Sequence, residues 1–197
     1  PPSQRHQRSS GSAVGGGRGS VGLMSVLAPV GAVGVVCVRG GPGGPFSAGA
    51  DISEFTTLRR DPTDAEAYGE AVTSGERAII ECVKPTVALI EGFAIGGGSQ
   101  VALACDLRVC SPTSRFGITP AKLGIVYALP STARLVEVVG PAGAAWILMT
   151  GELVDAEAAL RIGLVHGVVE EVPGRVFALT STLASGTGVS LLGWEAR

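Results

Sequence analysis

Two short apolar runs each lead directly into a glycine-rich loop, and this pairing limits the folds that the chain can adopt. The runs are Ala32–Val38 and Thr86–Ile90, and the loops that follow read GGPGGPFSAGADI and EGFAIGGG. Runs rich in β-branched residues are typical of buried strands. Helical patterns separate and follow these strands, and this alternation predicts an α/β domain.

Hydrophobic periodicity and helix-breaking residues predict the other elements along the chain. Two further strands are expected over Leu107–Cys110 and Leu164–Glu170. The predicted helices are Gly22–Pro29, Asp64–Val83, Ser99–Cys105, Ser131–Val139, Ala142–Thr150, Ala156–Ile162 and Val176–Ala184.

The first fifty residues differ in composition from the rest of the chain. They hold four Arg, thirteen Gly and no Asp or Glu, although the whole chain has 17 acidic residues. Residues 1–21 show no apolar period, which predicts a disordered or garbled tail ahead of one folded domain over residues 22–197. An Arg- and Ser-rich start that lacks acids also fits an organelle transit peptide.

The overall composition excludes several classes of protein. With 46% apolar and 16% charged residues among 197, the chain is too apolar to be disordered. Its net charge of −2 gives no general attraction to nucleic acid, and no apolar run reaches the roughly 18 residues that span a bilayer. We therefore expect neither nucleic acid nor membrane as a partner. The cysteines and histidines lack zinc-site spacing, so we expect no metal and, without a secretory signal, a cytoplasmic location.

The two glycine loops could together bind an oxyanion. Glycine lets the backbone approach a ligand closely, and the start of a helix leaves N–H groups unpaired. Two such loops side by side could direct two N–H donors at the carbonyl oxygen of a thioester or ester. The alternative is that both loops are tight turns. Neither loop contains a phosphate-loop or dinucleotide-binding pattern.

Three longer segments read FSAGADISEF, KPTVALIEGFAIGGGSQVALACDLRVCSPTSRFGITPAKLGI and LMTGELVDAEAALRIGLVHGVVE. In order, wording and spacing they resemble the crotonase superfamily, the enoyl-CoA hydratase/isomerase family. The resemblance runs from about Ala32 to Val172. It implies a crotonase-like spiral of ββα repeats whose N- and C-terminal parts are incomplete here. It also implies an acyl-CoA substrate, a homotrimer or hexamer, and no cofactor beyond the coenzyme A of the substrate.

The same resemblance implies roles for residues of both glycine loops. The backbone N–H groups of Ala50 and Gly97 would be the two oxyanion donors. Ala48, Asp51 and Ile52 would line the adenine end of the coenzyme A site through backbone contacts.

The two glutamates with which enoyl-CoA hydratases activate water are absent from the matching positions. The G-G-G-x-E block of those enzymes runs here from Gly96 to Gln100, two residues that we expect to contact the substrate. Pro120 holds the position of the second glutamate. An amide and a proline cannot exchange protons at neutral pH, so hydration would need another acid. Asp51 and Glu54 are the acids nearby in sequence.

Decarboxylation needs no base from the protein, because the departing CO₂ supplies the electrons and the enzyme stabilises the enolate. Thr119, Lys122 and Tyr127 offer a hydroxyl, an ammonium and a phenol within one segment. That segment resembles T-P-x-N-L-G-x-P-Y of bacterial methylmalonyl-CoA decarboxylases, in which Thr119 and Tyr127 have counterparts. Those enzymes carry histidine, glutamate and asparagine where this chain has Ala50, Gln100 and Lys122.

We therefore expect a crotonase-type lyase that acts on an acyl-CoA thioester and leans to decarboxylation. The predicted catalytic residues are Ala50, Gly97, Thr119 and Tyr127. One alternative is an enoyl-CoA hydratase or isomerase with relocated acid and base residues. A catalytically inactive paralogue is another.

Overall fold

The structure, a computed structural model, describes residues 35–41, 43–49, 62–124, 126–172 and 174. In chain order its elements are β1 (Val36–Arg39), α1 (Pro62–Ile80), β2 (Thr86–Ile90), β3 (Phe93–Ile95), α2 (Gly97–Ala104), β4 (Leu107–Cys110), β5 (Arg115–Gly117), α3 (Pro120–Leu123), α4 (Leu129–Thr150), β6 (Val154–Asp155), α5 (Ala156–Arg161) and β7 (Gly167–Val168). The predicted helices Gly22–Pro29 and Val176–Ala184 and the predicted tail lie outside the described residues.

A four-stranded parallel sheet, in the order β1, β2, β4, β7, carries the fold. Its first two strands pair as the sequence predicts, with Val36 opposite Thr86. β4 then pairs with β2, so that Ile90 lies opposite Cys110. Parallel neighbours need a connection that crosses over between them, and α1 and α2 are part of those connections.

β2 is buried along its whole length because it contributes to two apolar clusters. Val87 and Leu89 join one cluster, whereas Ala88 and Ile90 join the other. Successive side chains of a strand point to opposite faces, so a strand between two apolar layers needs a continuous apolar run. This requirement explains why Thr86–Ile90 is recognisable from sequence alone.

A second, smaller sheet consists of β3, β5 and β6. β3 runs parallel to β5, and β6 runs antiparallel to β5. The sequence interpretation of Phe93–Ile95 as part of a loop is wrong, and β5 and β6 were not predicted. Strands of two or three residues between glycines and charged residues carry too little periodicity to be recognised. The sheet matters for function because β3 leads directly into α2.

The predicted helices that fall within the described residues are present, and the differences lie at their ends. α1 ends at Ile80 rather than at Val83, because the chain must turn before Pro85, which disfavours a helical residue ahead of it. α2 begins at Gly97, two residues before the predicted start. Of the predicted strand Leu164–Glu170, the structure has only Gly167–Val168, β7, as a strand.

α4 joins two predicted helices, with a break at Gly140. This residue has φ 73° and ψ 166°, and Pro141 follows it. By length and mean hydropathy α4 could cross a membrane, although Arg134 and Glu137 interrupt it, so the expectation that no continuous apolar run reaches about 18 residues holds. The break divides α4 into two segments, each shorter than the about 20 residues of a membrane-spanning helix.

Candidate active site

The two glycine loops are in direct backbone contact. Ser47 forms a parallel bridge with Ala94, and the N–H of Ile95 donates to the Ser47 carbonyl over 2.9 Å. A β-carbon added to Gly98 would lie 2.5 Å from the Ser47 carbonyl oxygen. The close approach of the first loop therefore requires glycine at this position of the second loop.

The same contact brings Gly49 onto Gly97, the first residue of α2. A β-carbon on Gly49 would lie 2.8 Å from the Gly97 nitrogen, and Gly49 has φ 86°. Ala50, the other predicted oxyanion donor, follows directly and lies outside the described residues, as do Asp51 and Ile52. The convergence of the Ala50 and Gly97 N–H groups thus stays a prediction, although the neighbour of Ala50 lies against Gly97.

Contacts behind the first turn of α2 fix its position. Gly96, with φ 54°, donates its N–H to the Gly117 carbonyl over 2.8 Å. The Ser99 hydroxyl lies 2.7 Å from the Ala94 carbonyl oxygen and 3.0 Å from that of Gly117. Among the described residues, none accepts a hydrogen bond from the Gly97 N–H. An N–H group at a helix start carries a positive partial charge and can bind an oxyanion.

Gln100, one turn beyond Gly97, begins a series of polar contacts that joins three helices. Its Nε2 donates to the Ser131 Oγ on α4 over 2.8 Å. That hydroxyl lies 3.2 and 3.0 Å from Oε1 and Oε2 of Glu76 on α1 and donates to this carboxylate. Sequence analysis singled out Gln100 but neither of the other two. Glu76 lies 24 positions before Gln100, and only the packing of α1 against α2 brings it near.

Glu76 is a buried carboxylate, with 8% of its surface exposed. Burial raises its pKa, and the hydrogen bond from Ser131 opposes that rise. The ion pairs within the described residues join Arg77 to Glu81, Arg134 to Glu137 and Arg161 to Glu157, so none of them includes Glu76. A cavity of about 40 Å³, lined in part by Glu76, Gln100 and Ser131, lies beside the carboxylate.

The Tyr127 hydroxyl is buried and has no hydrogen-bond partner within the described part of the chain. Burial raises the pKa of Tyr127, and the nearby Glu76 carboxylate raises it further. The Gln100 side-chain amide, which lies near the phenol, lowers this pKa. The phenol is therefore a neutral donor at physiological pH.

The other predicted residues lie in less enclosed positions. Thr119 is the N-cap of α3, is half-buried, and makes no side-chain hydrogen bond to that helix end. Ala48 and Lys122 are exposed. No described hydrogen bond links Thr119 to Tyr127, so their predicted cooperation stays a prediction.

A buried arginine, Arg108, lies at the C-terminal end of α2 and donates hydrogen bonds there. Arg108 is 3% exposed, and its guanidinium donates to the carbonyls of Cys105, over 2.6 Å, and Leu164, over 2.7 Å. Burial lowers the pKa of Arg108 to about 10, so the group remains charged at neutral pH. Asp106 accepts hydrogen bonds from the backbone N–H and the hydroxyl of Thr86.

The described residues contain no group of three or more His, Cys, Asp or Glu side chains that could hold a metal ion. The Nδ1 atom of His166 accepts the Arg108 backbone N–H over 3.1 Å. The expectation that the site uses neither a metal nor a separate cofactor stays a prediction.

Known proteins resemble this chain over most of its length. Two curated relatives are the crotonyl-CoA hydratase of Syntrophomonas wolfei, 36% identical over 139 residues, and the short-chain-enoyl-CoA hydratase of Clostridium acetobutylicum, 38% identical over 125 residues. These matches cover 71% and 64% of this chain but 53% and 47% of the relatives. The chain therefore spans about half the length of these curated relatives.

A solved structure supports the fold. The enoyl-CoA hydratase/carnithine racemase from Magnetospirillum magneticum matches with a TM-score of 0.78 at 35% identity, covering 82% of this chain and 61% of that one. The predicted crotonase-like α/β fold is thus confirmed. Residues 28–186 match the family described as Enoyl-CoA hydratase/isomerase. Since that match takes in both glycine loops and the helices that surround them, the chain belongs to the enoyl-CoA hydratase/isomerase family.

Proposed function

We propose that this chain acts on acyl-CoA thioesters as a hydratase or isomerase, by stabilising an enolate at the N-terminus of α2. The observation that carries the proposal is the contact of Gly49 with Gly97. It places the first glycine loop against a helix start whose N–H group has no acceptor among the described residues. Donors fixed in this way stabilise the charge that develops on a thioester carbonyl oxygen.

The relatives reported above favour hydration or isomerisation over the decarboxylation to which the sequence pointed, because the two curated relatives reported are named as a crotonyl-CoA hydratase and a short-chain-enoyl-CoA hydratase. The resemblance to methylmalonyl-CoA decarboxylase has no support from them. The buried Glu76 is a second argument for a hydratase or isomerase, since it offers a carboxylate where Gln100 and Pro120 offer none.

Decarboxylation remains the second candidate, and the Tyr127 hydroxyl is the observation that favours it. A buried phenol without a partner in the described residues could donate to a substrate carboxylate. Thr119 would assist from the start of α3 in the same reaction.

A panel of substrates separates these functions. The full-length protein is incubated with crotonyl-CoA, a 3-enoyl-CoA, malonyl-CoA and methylmalonyl-CoA, and the products are followed by mass spectrometry. Hydration of the first or conversion of the second to a 2-enoyl-CoA supports our proposal. Release of CO₂ from either of the last two supports the second candidate. No reaction and no binding would identify an inactive paralogue.

We also propose that the chain assembles into a homotrimer or hexamer in the cytoplasm. Apolar side chains exposed on α4 support the assembly: Trp146 is 62% exposed and Met149 is 80% exposed. The free thiols of all four cysteines support a reducing compartment. Light scattering on the full-length protein and on Trp146→Glu tests the assembly, and a monomeric parent protein would contradict it.

A further inference from the structure

We infer that the Glu76 carboxylate is the base that removes a proton from C2 of the bound acyl-CoA and returns it to C4 of an unsaturated chain. This inference rests on the proposed function and specifies its reaction as the isomerisation of a 3-enoyl-CoA to a 2-enoyl-CoA. Its basis is the position of Glu76 beside α2, its burial, the cavity next to it, and the fact that Ser131 alone among the described side chains donates a hydrogen bond to it.

The position of Glu76 connects it with the thioester end of the site. Gln100 follows Gly97 by three residues on α2, so both lie on one side of the helix. Gln100 contacts Ser131, and Ser131 contacts Glu76. The carboxylate is thus two hydrogen bonds away from the helix turn on which the thioester oxygen is proposed to bind.

The hydrogen bonding of Glu76 leaves acceptor capacity unused. A carboxylate has about four lone-pair positions, whereas the Ser131 hydroxyl supplies one proton. Within the described residues, no other side chain donates to Glu76 and no cation pairs with it. A buried carboxylate without a counter-ion gains a proton more readily than an exposed one, which suits a group that must both accept and return a proton.

The surroundings of Glu76 are suited to a neutral substrate carbon. The cavity of about 40 Å³ has room for about three water-sized groups. Two titratable or charged groups from other elements lie near Glu76: Tyr127, whose phenol is neutral, and Arg134, which lines the same cavity. Arg134 is engaged with the Leu103 carbonyl and with Glu137.

The proposed step balances without any further reactant. The C2–H bond breaks, the proton moves to Glu76, and the electron pair forms the dienolate, whose negative charge rests on the thioester oxygen. The proton then moves from Glu76 to C4, the double bond lies between C2 and C3, and the carbonyl is restored. Exchange of the C2 proton of a saturated acyl-CoA with solvent uses the first half of this reaction alone.

The experiment follows the exchange of the C2 protons of butyryl-CoA in D₂O and the isomerisation of a 3-enoyl-CoA. It compares the parent protein with Glu76→Gln, which keeps the shape and removes the base. Glu81→Gln is the matched control, since Glu81 follows α1 directly and its side chain is 69% exposed. We expect a loss of at least about 100-fold in both rates for Glu76→Gln, because positioned bases contribute that much or more. Glu81→Gln should remain within about twofold of the parent, as is usual for an exposed side chain.

The pH profile of the parent and of Ser131→Ala gives an independent readout. The hydrogen bond from Ser131 lowers the pKa of Glu76, so its removal should move the acidic limb of the kcat/KM profile to higher pH. This readout decides the matter if Glu76→Gln does not fold, and an unmoved limb would overturn the inference. So would an active parent whose Glu76→Gln variant keeps its exchange rate. A parent protein that binds acyl-CoA but neither exchanges nor isomerises overturns the inference and leaves hydration and decarboxylation to be separated by the substrate panel. A parent protein that binds no acyl-CoA overturns the proposed function itself.

Discussion

Gly49 and Gly97 pack so closely that a β-carbon on Gly49 would lie 2.8 Å from the Gly97 nitrogen. Real β-carbons do not approach backbone atoms to this distance, and Gly49 also has φ 86°. The contact therefore explains why both loops carry glycine where they meet. It also makes the geometry of the proposed oxyanion site sensitive to a single methyl group.

Gly49→Ala should separate the two loops. We expect a loss of about 1–3 kcal/mol in the free energy of unfolding, from backbone strain, together with a fall in turnover. Gly69→Ala is the control, because Gly69 lies within α1 and a β-carbon there meets nothing within 4 Å. That change should stabilise the protein by about 0.5–1 kcal/mol. Denaturant unfolding and kcat/KM measure both effects, and a Gly49→Ala protein as stable and active as the parent would refute the argument.

Tyr127→Phe tests the buried phenol. The hydroxyl has no partner in the described residues, so its removal should leave the free energy of unfolding unchanged or raise it by about 1 kcal/mol. If the phenol donates to a charged or polarised substrate group, kcat/KM should fall about 10- to 150-fold. Steady-state kinetics on the reactive thioester of the panel gives the answer. An unchanged kcat/KM would remove Tyr127 from the mechanism, and a large loss of stability would show that it has a structural partner.

Gln100→Glu should not make the protein a more efficient hydratase. The change removes the donor to Ser131 and sets two carboxylates around one hydroxyl, so that one of them must hold a proton. We expect a stability loss that grows as the pH rises. Gln100→Met, which removes the donor without adding charge, should show a loss that does not vary with pH. Full hydratase activity from Gln100→Glu alone would mean that another residue already supplies the second acid.

The pH dependence of stability gives a separate test of Glu76. Its pKa is raised above the ordinary value of 4.5 in the folded protein. Between pH 4.5 and the raised pKa of the folded state, the folded protein binds more protons than the unfolded protein. Its free energy of unfolding therefore falls as the pH rises through that range. Glu76→Gln should remove this fall, and its stability relative to the parent should therefore improve from pH 4.5 to pH 8. Denaturant unfolding across this range measures the difference, and two parallel curves would show that burial does not penalise the Glu76 charge.

Strands and helices could be predicted where a local pattern of apolar residues determines the type of element and its bounds. Thr86–Ile90 is a continuous apolar run after a proline, and the structure contains that strand with the same bounds. Phe93–Ile95 was interpreted as loop because its three residues lie between glycines, and only its pairing with β5 makes it a strand.

Some residues of the candidate site could also be recognised from the sequence, and others could not. Gly96, Gly97 and Gln100 were recognisable because they form one local motif. Glu76 was not, because its role depends on the packing of α1 against α2 and on a serine 55 positions later, and no local spacing records such a relationship.

The buried Arg108 makes the two ends of α2 differ in their electrostatic effect. The helix has eight residues and is therefore about 12 Å long, so its negative pole is near enough to weaken, but not to match, the attraction of the positive pole for a charge beside Gly97. The Arg108 guanidinium donates to the Cys105 carbonyl at the C-cap, and its positive charge offsets the negative pole there. An anion formed at Gly97 is therefore attracted by the positive pole with less opposition from the other end of the helix.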